Sequence, residues 1–167
     1  MKILGINALN HDACITLLDG KEILFAGHAE RYSGIKNDHL LNQEMISDAK
    51  RYGKWDKVVW FEKPWLKKSR QLWAGQYGEV FQSGNLPSQY LKQFGIDKID
   101  HYVGHHESHA AASYYSSPYD EACIITIDAI GEWETLTIWY AWGSHFEKRY
   151  SVSYPNSLGL WYSAMTQ

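Results

Sequence analysis

The chain has 167 residues, 45% of them apolar and 21% charged, with a formal net charge of −3. That length holds one domain or two small lobes around a buried core, and the composition is that of a globular chain. The slightly acidic balance argues against a nucleic-acid binder, which displays a basic stripe, and no apolar run approaches the roughly 18 residues of a membrane helix.

The opening run is also too short for a secretory signal, so a cytoplasmic protein is expected. Cys14 and Cys123 each lie in an apolar run and read as reduced core thiols. Aromatics make up 15%, with 8 Trp and 12 Tyr, which leaves a stacking surface and a bulky core both open.

Ile3 to Asn7, Ala13 to Leu18 and Ile23 to Ala26 read as three successive antiparallel strands, with Asp19-Gly20 as a hairpin-turn pair. Asp38 is expected to cap a helix that buries Leu41, Met45, Ile46 and Ala49 and ends at Gly53. Lys57 to Phe61 follows as a short buried strand. The basic cluster Lys63 to Arg70, interrupted by Pro64, Trp65 and Leu66, reads as a solvated surface segment. Trp73, Tyr77, Val80 and Phe81 allow a helix, against which stand Gly75, Gly78, Gly84 and Pro87. Leu86 to Phe94 reads as helix, Ile99 to Val103 as a short strand, and His105 to Tyr115 as an Ala-rich helix.

After Pro118 the first pattern returns. Ala122 to Ile127 is an apolar strand running into a turn at Asp128–Gly131; Thr135 to Trp142 and Phe146 to Ser153 are the next two strands, and a helix follows through Leu158 to Met165. Two three-strand meanders, each opening on a strand with an Asp-containing turn and each followed by helix, suggest an α/β chain of the two-lobed actin-like ATPase (ribonuclease H-like) fold. The first lobe is expected over 1–119 and the start of the second over 120–167. In that fold the first hairpin of each lobe holds phosphate from one side of a cleft. A second lobe that stops in its first helix is expected to be truncated and to expose an unpaired sheet edge and an apolar face.

Four segments carry groups suited to chemistry. In VGHHESHAA (103–111), His105 and His109 are four apart, so on a helix they share a face and can present two imidazoles to one metal ion. Asp128 is the best further ligand, because a lone carboxylate ending an apolar strand is costly unless paired or metal-bound. The pairs His101/His105 and His106/His109 also have helical spacing, and a His-rich helix start can be polar surface; spacing does not choose. In Asn10-His11-Asp12, the His and Asp can activate a hydroxyl or hold a phosphate, or simply stabilise a turn. Lys36, in the charged stretch Glu30 to Asp38, can neutralise an oxyanion or phosphate, or lie in a solvated loop. In DAIGEWET (128–135), Gly131 lets backbone approach a ligand and Thr135 can donate a hydrogen bond.

Together GINALNHDACITLLDGKEILFAGHAERYSGIKND, GHHESHAAASYYSSPYDEACIITIDAIGEWET and YPNSLGLWYSAMT resemble the nodulation-type and antibiotic-type O-carbamoyltransferases, a family acting on sugars, aminoglycosides and cephem precursors. The resemblance runs from residue 3 to the end and thins between about Asn42 and Asp100. It implies the actin-like fold, and His105, His109 and Asp128 as ligands to Fe2+ or another divalent metal. It implies His11 and Lys36 around the carbamoyl group, with Asp12, Gly131, Glu132 and Thr135 as candidates for cofactor binding. The implied reaction makes carbamoyl adenylate from carbamoyl phosphate and ATP, then passes the carbamoyl group to a small-molecule hydroxyl acceptor. A C-terminal partner chain or domain is expected to make the adenylate; homo-oligomerisation is left open. The sequence departs from the family in length, lacking a later acidic ligand, and at Gly34, where relatives carry a larger residue.

Overall fold

The computed structural model describes residues 1–80 and 86–166. Its elements in chain order are β1 (Lys2–Asn7), β2 (Cys14–Asp19), β3 (Glu22–His28), α1 (Glu30–Ser33), α2 (Gln43–Lys50), β4 (Lys57–Trp60), α3 (Pro64–Trp73), α4 (Tyr77–Val80), α5 (Pro87–Tyr90), a 3₁₀ turn (Leu91–Phe94), β5 (His101–Tyr102), α6 (His105–Tyr115), β6 (Glu121–Gly131), β7 (Glu134–Trp142), β8 (His145–Ser153) and α7 (Leu158–Thr166). They form two compact units. One holds Met1–Phe61 and the described residues of 81–102; the other holds Glu62–Val80 and the described residues of 103–167.

The first unit is a five-stranded mixed sheet of order β3-β2-β1-β4-β5. β1 runs antiparallel to β2, with Lys2 opposite Asp19, and parallel to β4, with Ile3 opposite Lys57. Side chains alternate across a strand, so Leu4, Ile6, Ile15 and Leu17 are buried, and α2 adds Met45, Ile46 and Ala49 to the same core with Trp60 and Leu91. Each large aliphatic buried there contributes about 1.5–3 kcal/mol.

The expected meander and the strand after α2 are present, with β4 parallel to β1, but the helix boundaries differ. The cap of α2 is Asn42, whose Oδ1 accepts the Glu44 N–H at 2.7 Å. Asp38 instead accepts the Leu40 N–H at 3.0 Å in the loop before it. The helix stops at Lys50, and Gly53 (φ 102) closes the following turn by donating to the Lys50 carbonyl at 3.1 Å. The short α1 was not foreseen. It ends at Gly34, left-handed at φ 69, whose N–H reaches the Glu30 carbonyl at 2.9 Å. A larger residue is strained in that conformation, which accounts for the glycine.

In the second unit, β6, β7 and β8 form an antiparallel sheet. α6 covers one face, packing Ala110 and Tyr114 against Ile124, Trp139 and Ala141. The other face leaves Ile125 59% and Ile127 56% exposed, and Leu158, Trp161, Tyr162 and Met165 of α7 are exposed too. β6 runs further than expected. Its ladder breaks after Ile127 (opposite Leu136) and resumes at Gly131 (opposite Glu134), so residues 128–130 bulge within the strand.

The basic cluster lies at the surface as expected, and it is helical: α3 buries only Pro64, which sits in its first turn where proline is suited, and ends just before Gly75 at φ 76. Its Ser69 hydroxyl accepts the Trp133 Nε1–H at 3.0 Å, and Trp73 packs on Trp133 and Tyr154. Because α3 and α6 belong with the second sheet, that compact unit takes in segments that a division at 119/120 assigns to the first lobe. Phe81 and Gly84, which entered the expectation for a helix around Tyr77, lie outside the described residues.

Both cysteines are free. Cys14 is half-buried, but Cys123 is exposed and not a core thiol, because it alternates with Ile124 onto the uncovered face of β6. No helix among the described residues is long and apolar enough to cross a membrane.

Candidate metal centre

The N-terminus of α6 follows Gly104, whose N–H is accepted by the Glu107 carboxylate at 3.3 Å. One helical turn separates His105 from His109, and both rings face the bulge of β6. There the Asp128 Oδ2 lies 2.7 Å from His105 Nε2 and 4.0 Å from His109 Nε2, while the two Nε2 atoms are 3.2 Å apart. Ligand atoms of all three residues fall within 4.8 Å of one another. Hydrogen bonding from His105, with help from the Ala129 N–H, overrides burial and holds the Asp128 carboxyl at about 2. It is therefore ionised at neutral pH.

Three Lewis bases converging on one point repel unless a proton or cation sits among them. Two imidazoles with one carboxylate suit Fe2+, Zn2+ and similar ions, so the residues present fit a divalent metal. The His105 side chain is 6% exposed, Asp128 35% and His109 59%, so the cluster is anchored on one side and open to solvent on the other.

The bulge is braced from behind. A Cβ on Gly131 would overlap the His105 ring, and one on Gly159 would come within 2.6 Å of the Asp128–Ala129 backbone. Glycine is needed at both for close approach. The Ser157 hydroxyl lies 2.6 Å from the Ala129 carbonyl oxygen and accepts the Leu160 N–H at 3.0 Å, tying the start of α7 to the bulge. Nothing in the spacing of these residues marked Ser157 or Gly159 in advance.

His106, next to the first candidate ligand, has a different occupation. It is 1% exposed. Its Nε2 faces the Glu134 carbonyl at 3.0 Å and its Nδ1 the Thr126 hydroxyl at 2.5 Å. Burial pushes its pKa down, so the ring is neutral. His101 lies exposed on β5 in the other unit. Of the three histidine pairs left open by spacing, His105 with His109 is the one that meets Asp128.

The remaining candidates of this unit are placed as follows. Glu132 is buried, at φ 59, and its carboxylate accepts the Lys63 N–H at 2.5 Å. Burial pushes its pKa up, against the opposing pull of the Lys63 and His105 N–H groups. The residue thus ties the starts of α3 and α6 together. Thr135 is also buried, and its hydroxyl donates to the Asn156 carbonyl at 2.5 Å.

In the first unit the His11 Nδ1 is 2.8 Å from Asp12 Oδ2, and both side chains are substantially exposed. Asp12 holds a left-handed backbone, φ 52. Its turn is stitched to the loop after Lys36: Leu9, Asp12 and Ala13 donate to the carbonyls of His39, Asn37 and Asp38 at 2.8, 3.5 and 2.7 Å. Lys36 itself is exposed. His28, at the end of β3, sets its Nε2 3.6 Å from the other Asp12 oxygen. The register of β2 with β3 puts it there, and no local motif pointed to it.

Fold and cluster describe a mixed α/β domain with a candidate cation site, and comparison with known proteins supplies the class. The family model described as Carbamoyltransferase N-terminus matches residues 71–167, more than half of the chain, and the chain belongs to that family. Among curated proteins it is similar to the uncharacterized protein sll1178 of Synechocystis sp. (strain ATCC 27184 / PCC 6803 / Kazusa), at 28% identity over 195 residues. That match covers 98% of this chain but 31% of the relative, so the chain spans about a third of that protein's length. Among solved structures it is similar to the Aquifex aeolicus PPX-GPPA enzyme, at 14% identity and a TM-score of 0.41, covering 94% of this chain and 53% of the other.

Proposed function

We propose that the chain is the N-terminal part of an O-carbamoyltransferase, which moves a carbamoyl group from carbamoyl adenylate to an acceptor hydroxyl. One observation carries the reading: a chain of the carbamoyltransferase family brings His105, His109 and Asp128 to one point. The sheet order β3-β2-β1-β4-β5, followed by a second three-strand meander, supports an actin-like lobe and the opening of another.

His105, His109 and Asp128 would hold Fe2+ or a similar ion. Such an ion, when bound, anchors phosphate and offsets negative charge as it develops. The chain's own groups account for the rest. The acceptor hydroxyl needs a base. His11 fits, because Asp12 occupies its Nδ1 and leaves Nε2 to take the proton. The acceptor oxygen bonds to the carbamoyl carbon, the bond from that carbon to the adenylate phosphate oxygen breaks, and AMP leaves with the electron pair. Lys36 stabilises the carbonyl oxygen as it gains charge. We assign Asp12, Gly131, Glu132 and Thr135 to the surroundings of the nucleotide, with Glu132 and Thr135 acting through the backbone they hold. Carbamoyl phosphate and ATP supply the adenylate, and two free thiols suit the cytoplasm.

A second reading, an interaction module that keeps the fold without the reaction, is favoured by one feature. Ile125, Ile127, Leu158, Trp161 and Met165 are exposed together in the second unit, a surface that a partner chain or further domain would cover. The test combines the chain with the part of the Synechocystis relative outside the matched region and supplies carbamoyl phosphate, ATP, Fe2+ and a panel of hydroxyl compounds. Carbamate ester that forms with the native chain and not with His11→Ala supports the transferase. Complex formation with no ester from any acceptor supports the module.

A further inference from the structure

We infer that His106, Thr126 and Thr137 form a positioning device that sets helix α6 against strand β6 and so fixes the spacing of the metal-ligating triad. The inference rests on the metal-site reading above.

Two rungs join α6 to β6. In the outer rung, His105 meets Asp128 at 2.7 Å; in the inner one, His106 meets Thr126 at 2.5 Å. His105 and His106 are adjacent, and Thr126 on the paired ladder and Asp128 at the start of the bulge both meet α6, so the rungs lie side by side. The inner rung continues into the core. The Thr126 hydroxyl is 2.6 Å from that of Thr137, which accepts the Trp139 Nε1–H at 2.6 Å.

Donor and acceptor roles along this chain follow from its ends. Indole N–H only donates and a backbone carbonyl only accepts. The proton of His106 therefore sits on Nε2, toward the Glu134 carbonyl, and Nδ1 accepts from Thr126. Thr126 in turn accepts from Thr137, and Thr137 from Trp139. Every N–H and O–H donor of the chain is used, in one direction, with no cation required.

His106, Thr126 and Thr137 are at most 8% exposed. A buried polar chain satisfied throughout is rigid, and breaking one link strands the others without water. The outer rung is held by packing, with His105 against Gly131 and the Asp128–Ala129 backbone against Ser157 and Gly159, but the Asp128 and His109 side chains are open to solvent and can exchange their bonds with water. The inner rung thus sets the register, and the outer rung inherits it.

The test is a Co2+ titration of the whole chain, followed by visible absorption, which reports affinity and ligand geometry together. Thr126→Val keeps the shape and removes the hydroxyl; Thr126→Ser keeps the hydroxyl. The expected result is a loss of at least about 10-fold in Co2+ affinity with an altered spectrum for Thr126→Val, and native values for Thr126→Ser. If Thr126→Val does not fold by circular dichroism, Thr137→Val breaks the same chain one link earlier and is expected to lose affinity and spectrum in the same direction. Native affinity and spectrum in a folded Val variant, or equal losses in Thr126→Val and Thr126→Ser, overturn the inference while leaving the site standing. A native chain that takes up no Co2+ removes the site, and the inference with it.

Discussion

Gly131→Ala isolates how tightly the ligand His105 is held. The glycine backbone lies outside the left-handed region, so alanine meets no torsional penalty there. The new methyl would fall on the imidazole, overlapping Cδ2 and lying 2.8 Å from Cγ and 3.0 Å from Nε2. The His105 side chain is 6% exposed, so the ring has little room to move except by leaving Asp128. Overpacking of this kind costs about 1–3 kcal/mol, while the stiffer unfolded chain returns about 0.4–1 kcal/mol. The net is a destabilisation of about 1–2 kcal/mol, or a Tm lower by about 2–8 °C for a chain of this size. Displacement of the ring should also weaken metal binding about 10–100-fold, as loss of ligand orientation does elsewhere. Differential scanning calorimetry with and without Zn2+ measures both effects. A variant as stable as the native chain, with the same Zn2+-induced rise in Tm, would refute the close packing of Gly131 on His105.

Three further outcomes are expected. Ile46→Ala removes a fully buried side chain from the core of the first unit and should lower stability by about 2–5 kcal/mol in urea denaturation; a change below about 1 kcal/mol contradicts that core. The Lys98 ammonium first, then the Val58 N–H, holds the Asp100 carboxyl below its usual range. The unfolded chain therefore binds this proton more readily, so the contribution is complete above about pH 4 and is lost as pH falls through the depressed folded value. Asp100→Asn should flatten the acid limb of urea midpoints measured from pH 6 to pH 3, and an unchanged limb refutes the assignment. Finally, burial pushes the Cys14 thiol up whereas Cys123 is exposed, so iodoacetamide at pH 8 should label Cys123 first by mass spectrometry; equal rates contradict the placement.

The meander of the first unit was legible because period-2 alternation and Asp19-Gly20 leave little choice of register. The helix at His105 was legible because it lacks breakers. What sequence could not resolve were outcomes decided by tertiary contact. Asn42 rather than Asp38 caps α2, since both residue types serve and only the packing of Met45 and Ile46 selects the start. The α3 helix hid behind its basic residues: Trp65, Leu66, Leu72 and Trp73 stand at helical spacing, but all four stay exposed, so the segment reads as surface rather than as a core-facing helix. In the site, spacing proposed His105 and His109 but equally other pairs. What sets His106 apart is its bond to Thr126, a partner twenty residues away that no local pattern shows.

The account depends on His105, His109 and Asp128 holding one cation, and calorimetric titration of the purified chain with Fe2+ under anaerobic conditions tests this directly. One ion per chain is expected, with no binding detected for His109→Ala or Asp128→Ala, whose side chains are exposed enough to be removed without disturbing the core. A native chain that binds no Fe2+, or variants that bind it as tightly as the native chain, would contradict the account.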